Sequence, residues 1–259
     1  MKKLIKKLLP KGVIELIHKL KHNYNRLLVN KKYGRNIKNF KDKYKGKRCF
    51  IIGNGPSLTI EDLEKLDNEI TFASHLIFKI FSETNWRPTF YCVEDMKLLE
   101  NEISEIEKLE NDYQHGFFTG NSWMNLPEKF LLSKKNDFWF IDKPKWEDEP
   151  DFSFNASKYI AEGFTVTYAN IQLAVYMGFS EIYLLGVDHF YEEGNNYSKA
   201  IGDGEVYNPP QLNKSTISYM KAKKVCDQKD IKIVNSTRCG HLEVFERANF
   251  DSVLGDNNE

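Results

Sequence analysis

Apolar positions in this chain fall into short runs separated by longer stretches with helical spacing. Runs of four to seven residues at 49–52, 70–73, 89–93, 181–187 and 231–235 read as buried strands, because each is short, largely apolar and ends at a small or polar residue. Between them, 59–66, 75–83, 96–109, 167–177 and 214–228 carry apolar residues three and four apart, the period of amphipathic or buried helices. Thr59 with Asp62 has capping-box spacing, Pro56 suits a first helical turn, and Gly178 suits a helix C-terminus. Strand and helix alternate, so the pattern predicts an α/β, Rossmann-like, mostly parallel sheet with helices on both faces. The region 110–160 is aromatic and irregular, with strands expected at 116–119 and 138–141. Residues 189–212, rich in Gly, Asn, Tyr and Pro, are long for a plain connection and suit a lid-like loop.

Charge divides the chain differently. Its 259 residues carry equal numbers of basic and acidic side chains. Residues 1–48, however, hold 17 Lys or Arg against only Glu15 and Asp42, a net +15, and the remainder carries −15. This predicts a basic amphipathic arm over 1–46 and a catalytic domain over 47–259. Leu4, Ile5, Leu8 and Leu9, then Val13, Ile14, Leu16, Ile17 and Leu20, are interleaved with lysines, a pattern suited to an anionic membrane surface. A solvated helix or a tether to another protein fits the same pattern. The arm has few aromatics and no nucleic-acid motif, so nucleic acid is not expected as a partner. Lysines break every apolar stretch of 1–20, which argues against a signal peptide, and no run approaches a membrane span. The four cysteines lack metal-site spacing, and a reduced, cytoplasmic setting is expected, peripheral at the inner membrane face.

Candidate chemistry lies at predicted strand ends. Gly53-Asn54-Gly55-Pro56-Ser57 ends the first strand, and strand, glycine turn and helix start form a common phosphate-binding arrangement. The third glycine of a dinucleotide fingerprint is absent, Leu58 standing there, and the second strand ends in Ser74-His75 rather than an acid. Thr165 and Thr167 open a buried helix. Asp188 and His189 end a buried strand, with His189 placed as general base and Asp188 as its neighbour on a donor or acceptor hydroxyl. Tyr191 and Tyr197 follow in the loop. Glu94 and Asp95 end the third strand and suit either a divalent ion or a helix N-terminus. Asn235, Thr237 and His241 follow the last strand, at the same sheet edge.

The sequences G-N-G-P-S-L at 53–58 and G-F-S-E-I-Y-L-L-G-V-D-H-F-Y at 178–191 resemble bacterial lipooligosaccharide sialyltransferases. With P-T-F-Y-C-V-E-D at 88–95 and I-V-N-S-T-R-C-G-H-L at 233–242, the chain is also similar to the broad hydroxymethylpterin pyrophosphokinase family, over roughly 47–247. The first resemblance implies a Rossmann-like domain with a lid and a CMP-sugar donor used without metal. Gly53, Asn54, Gly55, Pro56 and Ser57 then match the nucleotide site, and Ser74-His75 stands where that family has an Asn-Gln pair. Thr165 matches a threonine beside the donor, with Val166 replacing a serine. Tyr191 and Tyr197 resemble phosphate-contacting tyrosines. The family's catalytic histidine has no counterpart at 209–216, which leaves His189 or His241 in that role.

These readings converge on a glycosyltransferase-like enzyme of surface-glycan synthesis, with a nucleotide-sugar donor, a glycan acceptor and no cofactor. The alternatives are a Mg-dependent pyrophosphokinase, with Asp95 on the metal, and a non-catalytic nucleotide- or glycan-binding protein.

Overall fold

The computed structural model describes residues 10, 12–13, 16, 20, 24, 37–119, 130, 133–139, 141–142, 149–190, 197–199, 201–202 and 211–255. Their strands are β1 (Arg48–Ile52), β2 (Thr71–Ser74), β3 (Phe90–Val93), β4 (His115–Thr119), β5 (Asn136–Trp139), β6 (Ile141–Asp142), β7 (Ile160–Ala161), β8 (Glu181–Leu185), β9 (Lys232–Asn235) and β10 (Glu246–Arg247). The helices are α1 (Ile60–Glu64), α2 (Met96–Asn101), α3 (Ile103–Ile106), α4 (Val166–Met177), α5 (Leu212–Asp227) and α6 (Phe250–Gly255). Eight strands form one sheet in the order β10-β9-β8-β1-β2-β3-β4-β5, every neighbouring pair parallel; β6 and β7 form a separate pair. This is the Rossmann-like α/β architecture expected from the alternation.

The central strands are apolar throughout because both faces are covered. In β1, Phe50 and Ile52 face one core, with Leu63, Tyr183 and Phe250. Cys49 and Ile51 face the other, with Leu173, Met177 and Tyr219. Helix α4 is buried from Thr167 to Met177, so its two amides must find partners inside. Gln172 accepts from the N–H groups of Ser153 and Ala161 and donates to the Ala161 carbonyl, each at 2.9 Å. Gly178 ends α4 in the left-handed region at φ +90°, as its position suggested.

Several local expectations change. Residues 75–82 form a 3-10 helix rather than an α-helix. The helix expected over 96–109 is α2, α3 and a 3-10 turn, Glu107–Asn111. Only half of the capping box forms. Thr59 accepts from the Asp62 N–H at 3.2 Å, but the Asp62 carboxylate turns away to Arg238, which donates from Nε at 2.8 Å. Helix α1 starts at Ile60, so Pro56 precedes it instead of opening it.

Residues 37–46, assigned to the arm by their charge, pack on the body. Ile37 and Phe40 are buried, and Tyr44 stacks on Phe179 at 4.9 Å. The N–H groups of Asp42, Tyr44 and Gly46 donate to the carbonyls of Tyr176, Met177 and Gly178 at 3.1, 2.8 and 3.0 Å. They satisfy carbonyls that the end of α4 would otherwise leave open. On the N-terminal side of that segment, Val13, Leu16, Leu20 and Tyr24 are each helical and exposed. Among the described residues no helix is long and apolar enough to cross a membrane.

Arg238 ties the loop after β9 to α1, through Asp62, and to α6, through Asp251 at 3.2 Å. Asp62 is 1 % exposed. Removing its cationic partner leaves a buried carboxylate without its charge-assisted bonds, an effect of about 1–3 kcal/mol. Arg238→Ala is therefore expected to lower the denaturation midpoint by that equivalent, and Arg238→Lys by less. Equal midpoints for Arg238→Ala and the parent would show that water replaces the guanidinium.

Candidate functional site

Strand order reverses between β1 and β8: the chain runs outward from β1 through β5 on one side and from β8 through β10 on the other. Such a switch point leaves a crevice beyond the carboxyl ends of its strands. Gly53–Ser57 leaves β1 there, and Gly186–His189 leaves β8.

The two segments lie in close contact. Gly53 and Gly55 donate their N–H groups to the carbonyls of Leu185 and Gly186 at 2.8 and 2.9 Å. Neither glycine is at positive φ; each is glycine for lack of room. A Cβ on Gly53 would overlap the Gly186 carbonyl oxygen, and one on Gly55 would overlap Asp188 Oδ2. Gly186 itself sits at φ +66°, where only glycine is at ease, and turns its carbonyl toward the incoming strand. The Ser57 N–H and hydroxyl donate to Asp188 Oδ1 and Oδ2 at 3.2 and 2.8 Å, and the Leu58 N–H donates to Gly55 at 3.1 Å. The turn's amides at 53, 55, 57 and 58 are thus used within the protein, and Pro56 has none. The glycines close β1 onto β8 rather than cradle a ligand with their N–H groups.

Asp188 acts here as a brace. Burial raises its pKa above the usual carboxylate range, against the lowering effect of the Ser57 bonds. Its own backbone carbonyl accepts from the His241 N–H at 2.7 Å.

A second chain of bonds joins the ends of β1 and β2 to α4. Asn54 Nδ2 donates to the Ser74 carbonyl at 2.9 Å, and Asn170 Nδ2 donates to the Ser74 hydroxyl at 2.8 Å. Thr165 caps α4, accepting from the Thr167 N–H at 3.3 Å, and lies 3.3 Å from the Tyr219 hydroxyl. The start of this twelve-residue helix therefore stands over the carboxyl edge of the sheet, where its dipole favours an anion. Ser198 closes the other side: its N–H donates to the Asn54 carbonyl at 2.8 Å and its hydroxyl to the Leu58 carbonyl at 2.7 Å. Tyr197 beside it is half-buried against the same core, while Tyr191 lies outside the described residues.

His189 points away from Asp188 toward α5. Its Nε2 is 2.7 Å from Thr216 Oγ1, and its ring meets Tyr219 edge-on at 5.5 Å. The Thr216 hydroxyl donates to the Leu212 carbonyl at 2.8 Å, so it accepts from His189 Nε2–H. The lone pair then resides on Nδ1, the atom available to take a proton. Burial, and secondarily the neighbouring His241, lowers the His189 pKa below its ordinary 6.5 and keeps the ring neutral. His189, His75 and Phe164 all adopt left-handed backbone, at φ +53°, +54° and +58°. Three such residues around one sheet edge mark a locally strained rim.

Other candidates hold the frame. His75 Nε2 accepts from the Glu94 N–H at 3.3 Å, and its carbonyl accepts from the Tyr91 hydroxyl at 2.6 Å. Burial pushes its pKa down to about 4, against the pull of Asp95. Asp95 caps α2, accepting from the Lys97 and Leu98 N–H groups at 2.9 and 3.3 Å. Among the described residues no three His, Cys, Asp or Glu side chains converge to hold a metal. Asn235 and Thr237 are buried: Asn235 donates to the Leu242 carbonyl at 2.8 Å, and Thr237 accepts from the Val187 N–H at 3.1 Å. They fasten the 237–242 loop to the ends of β8 and β9. His241 is exposed and stacks on Phe190 at 4.6 Å. Asn170, Ser198, Thr216 and Tyr219 escaped the sequence reading, because each meets its partner from a distant segment and carries no local motif.

Fold and crevice define a Rossmann-like α/β protein with its cleft at the switch point. Within that class the chain belongs to the MptE-like family: the model described as 6-hydroxymethylpterin diphosphokinase MptE-like matches residues 20–194. No curated protein matches the chain in sequence. Among solved structures it is similar to the MAf glycosyltransferase from Magnetospirillum magneticum AMB-1, at a TM-score of 0.55 and 14% identity over 89% of this chain. The chain spans 39% of that protein's length. The sialyltransferase CstII from Campylobacter jejuni, in complex with the substrate analogue cytidine-5'-monophosphate, matches at a TM-score of 0.49 and 19% identity. That match covers 80% of this chain and 86% of the other.

Proposed function

We propose that the protein is a glycosyltransferase of surface-glycan synthesis that uses a nucleotide-activated sugar. One observation carries the reading: the start of α4, Asn54 and Ser74 meet at the β1/β8 switch point, with His189 on its border. The fold shared with the MAf glycosyltransferase is in keeping with it. The nucleotide phosphates lie at the Thr165–Thr167 helix start. Asn54 and Ser74 line the donor side, and Ser198 holds the following loop over the turn. An acceptor hydroxyl attacks the anomeric carbon as its proton passes to His189 Nδ1. The bond from that carbon to the phosphate oxygen breaks, and the electron pair leaves on the nucleotide, next to the helix dipole.

The test is a calorimetric binding screen of CMP, UDP, GDP and ATP, each with and without Mg²⁺. A pyrimidine or guanine nucleotide is expected to bind, with an affinity that falls at least about tenfold in Asn54→Ala. The family name favours diphosphate transfer as the second reading, and binding of ATP alone, only with Mg²⁺, would establish it in place of the first. Binding of none would leave the crevice without a nucleotide role.

The protein acts at the inner face of a membrane, held by its basic arm. Support comes from the exposed apolar side chains of Val13, Leu16, Leu20 and Tyr24 and from the +15 charge of residues 1–48. Attraction near an anionic surface is about 1 kcal/mol per basic residue and is screened by salt. Full-length protein is expected to sediment with phosphatidylserine-containing vesicles at low salt and to be released by high salt. Leu16→Glu with Leu20→Glu should halve sedimentation or do worse; unchanged sedimentation would assign the membrane contact elsewhere.

A further inference from the structure

Between α5 and residues 241–244 lies a cavity of about 590 Å³, on the side of His189 away from the glycine turn. Small-molecule sites have volumes of about 300–1,000 Å³, so it has room for a ligand of sugar size or larger. Met220, Leu242 and Val244 give it an apolar wall suited to the C–H face of a sugar ring, and His189 and His241 give it polar groups at the sheet edge. Its wall holds two cations, Lys223 and Lys224, and two anions, Asp227 and Glu243. Asp227 in the wall is paired with Lys223 at 2.9 Å, and Glu243 with Arg247 at 3.6 Å. Lys224, also in the wall, has no acidic partner among the described residues, which leaves its ammonium available to a ligand.

We propose that this cavity is the acceptor subsite and takes a sugar that carries an anionic group, a phosphate or a carboxylate. The inference rests on the transferase reading. His189 is the shared element, since it lines the cavity and follows Asp188, whose carboxylate braces the glycine turn. A sugar seated on Met220 and Leu242, with its anion at Lys224, directs a hydroxyl toward the imidazole. The acceptor hydroxyl and the donor's anomeric carbon then meet beside His189 Nδ1. The Lys224 ammonium discriminates against neutral sugars of the same size.

Ligand-observed NMR on the full chain tests this with three probes: D-glucuronate, glucose 6-phosphate and neutral methyl α-D-glucoside. Inorganic phosphate serves as the anion-only arm. Both anionic sugars are expected to bind at least about tenfold more tightly than the neutral one and than phosphate. Met220→Trp fills the cavity from a residue that is 58 % exposed, and Lys224→Glu reverses the charge at position 224. Each should weaken the anionic sugars at least about tenfold and leave nucleotide affinity unchanged. Preference for glucuronate over glucose 6-phosphate, or the reverse, identifies the anion. Equal binding of the neutral sugar, phosphate binding as tight as the sugars, or full binding in Met220→Trp would overturn the subsite. A protein that binds nucleotide but no anionic sugar loses the subsite and keeps the transferase reading. One that binds anionic sugar but no nucleotide loses the transferase reading and keeps the cavity as a sugar site.

Discussion

His189→Ala is expected to reduce turnover by about 100-fold or more, the usual contribution of a positioned general base, while donor affinity stays within about twofold. The expectation follows from the tautomer. Thr216 holds Nε2–H, which leaves the Nδ1 lone pair for an acceptor proton. The pKa of the ring is lowered from 6.5, by burial first and His241 second, so the basic form persists to lower pH than that of a free histidine. The acid limb of the kcat/KM profile should therefore have its midpoint below pH 6.5. It should move up toward 6.5 in His241→Ala, where the lesser of the two causes is removed. Thr216→Val should lower turnover less than His189→Ala does, since the base remains but its tautomer is no longer held. Parental turnover in His189→Ala, at saturating donor and acceptor, would remove this residue from the mechanism.

Gly55→Val is expected to destabilise the protein by about 3 kcal/mol or more, because a side chain there collides with both walls of the switch point. The Cβ overlaps Asp188 Oδ2 and lies 2.8 Å from the Gly186 carbonyl oxygen. Separating the two segments would also break the Ser57–Asp188 bonds and the Gly55 N–H bond to Gly186. This changes what the substitution can report. If the turn only cradled a nucleotide, Gly55→Val would leave a folded chain that lacks its ligand; in the structure it attacks the frame. The sharper experiment is a double-mutant cycle on Gly55→Ala and Asp188→Ala, read from denaturation midpoints. Removing the Asp188 carboxylate clears the nearest obstacle, so the pair should be less destabilising than the sum of the singles, by about 1 kcal/mol or more. Strict additivity would show that the backbone of Gly186, not Asp188, makes position 55 glycine.

The alternation of apolar runs and helical stretches was enough to read the sheet, because strands buried on both faces must be apolar along their whole length. Three strand ends were readable for the same reason, since apolar character stops at Gly53, Ser74 and Glu94; the run expected to 187 leaves the sheet at Leu185, where Gly186 turns the chain. What those ends do was not readable. Thr59 and Asp62 have the spacing of a reciprocal cap, yet Asp62 binds Arg238, a residue 176 positions away. Asp95 had two readings, and the N–H groups of Lys97 and Leu98 at hand realise the cap. Charge alone drew the arm to residue 46, but the backbone N–H groups of residues 42–46 are needed at the end of α4, and Phe40 and Tyr44 have aromatic partners on the body.

The sequence by itself determined the α/β class, the parallel order of its alternation and the sheet edge that bears the candidate groups. These depend on periodicity and on local turn chemistry, which neighbouring residues encode. Only the tertiary structure decided the purpose of each group at that edge. It made Gly53 and Gly55 points of contact between two strands. It turned Asp188 into a brace for Ser57, and it sent His189 to Thr216 on a helix that begins 23 residues later. Such pairings depend on crossovers that bring distant strand ends within hydrogen-bond range. Side-chain direction there is fixed by which neighbour arrives, and no window of adjacent residues contains that information.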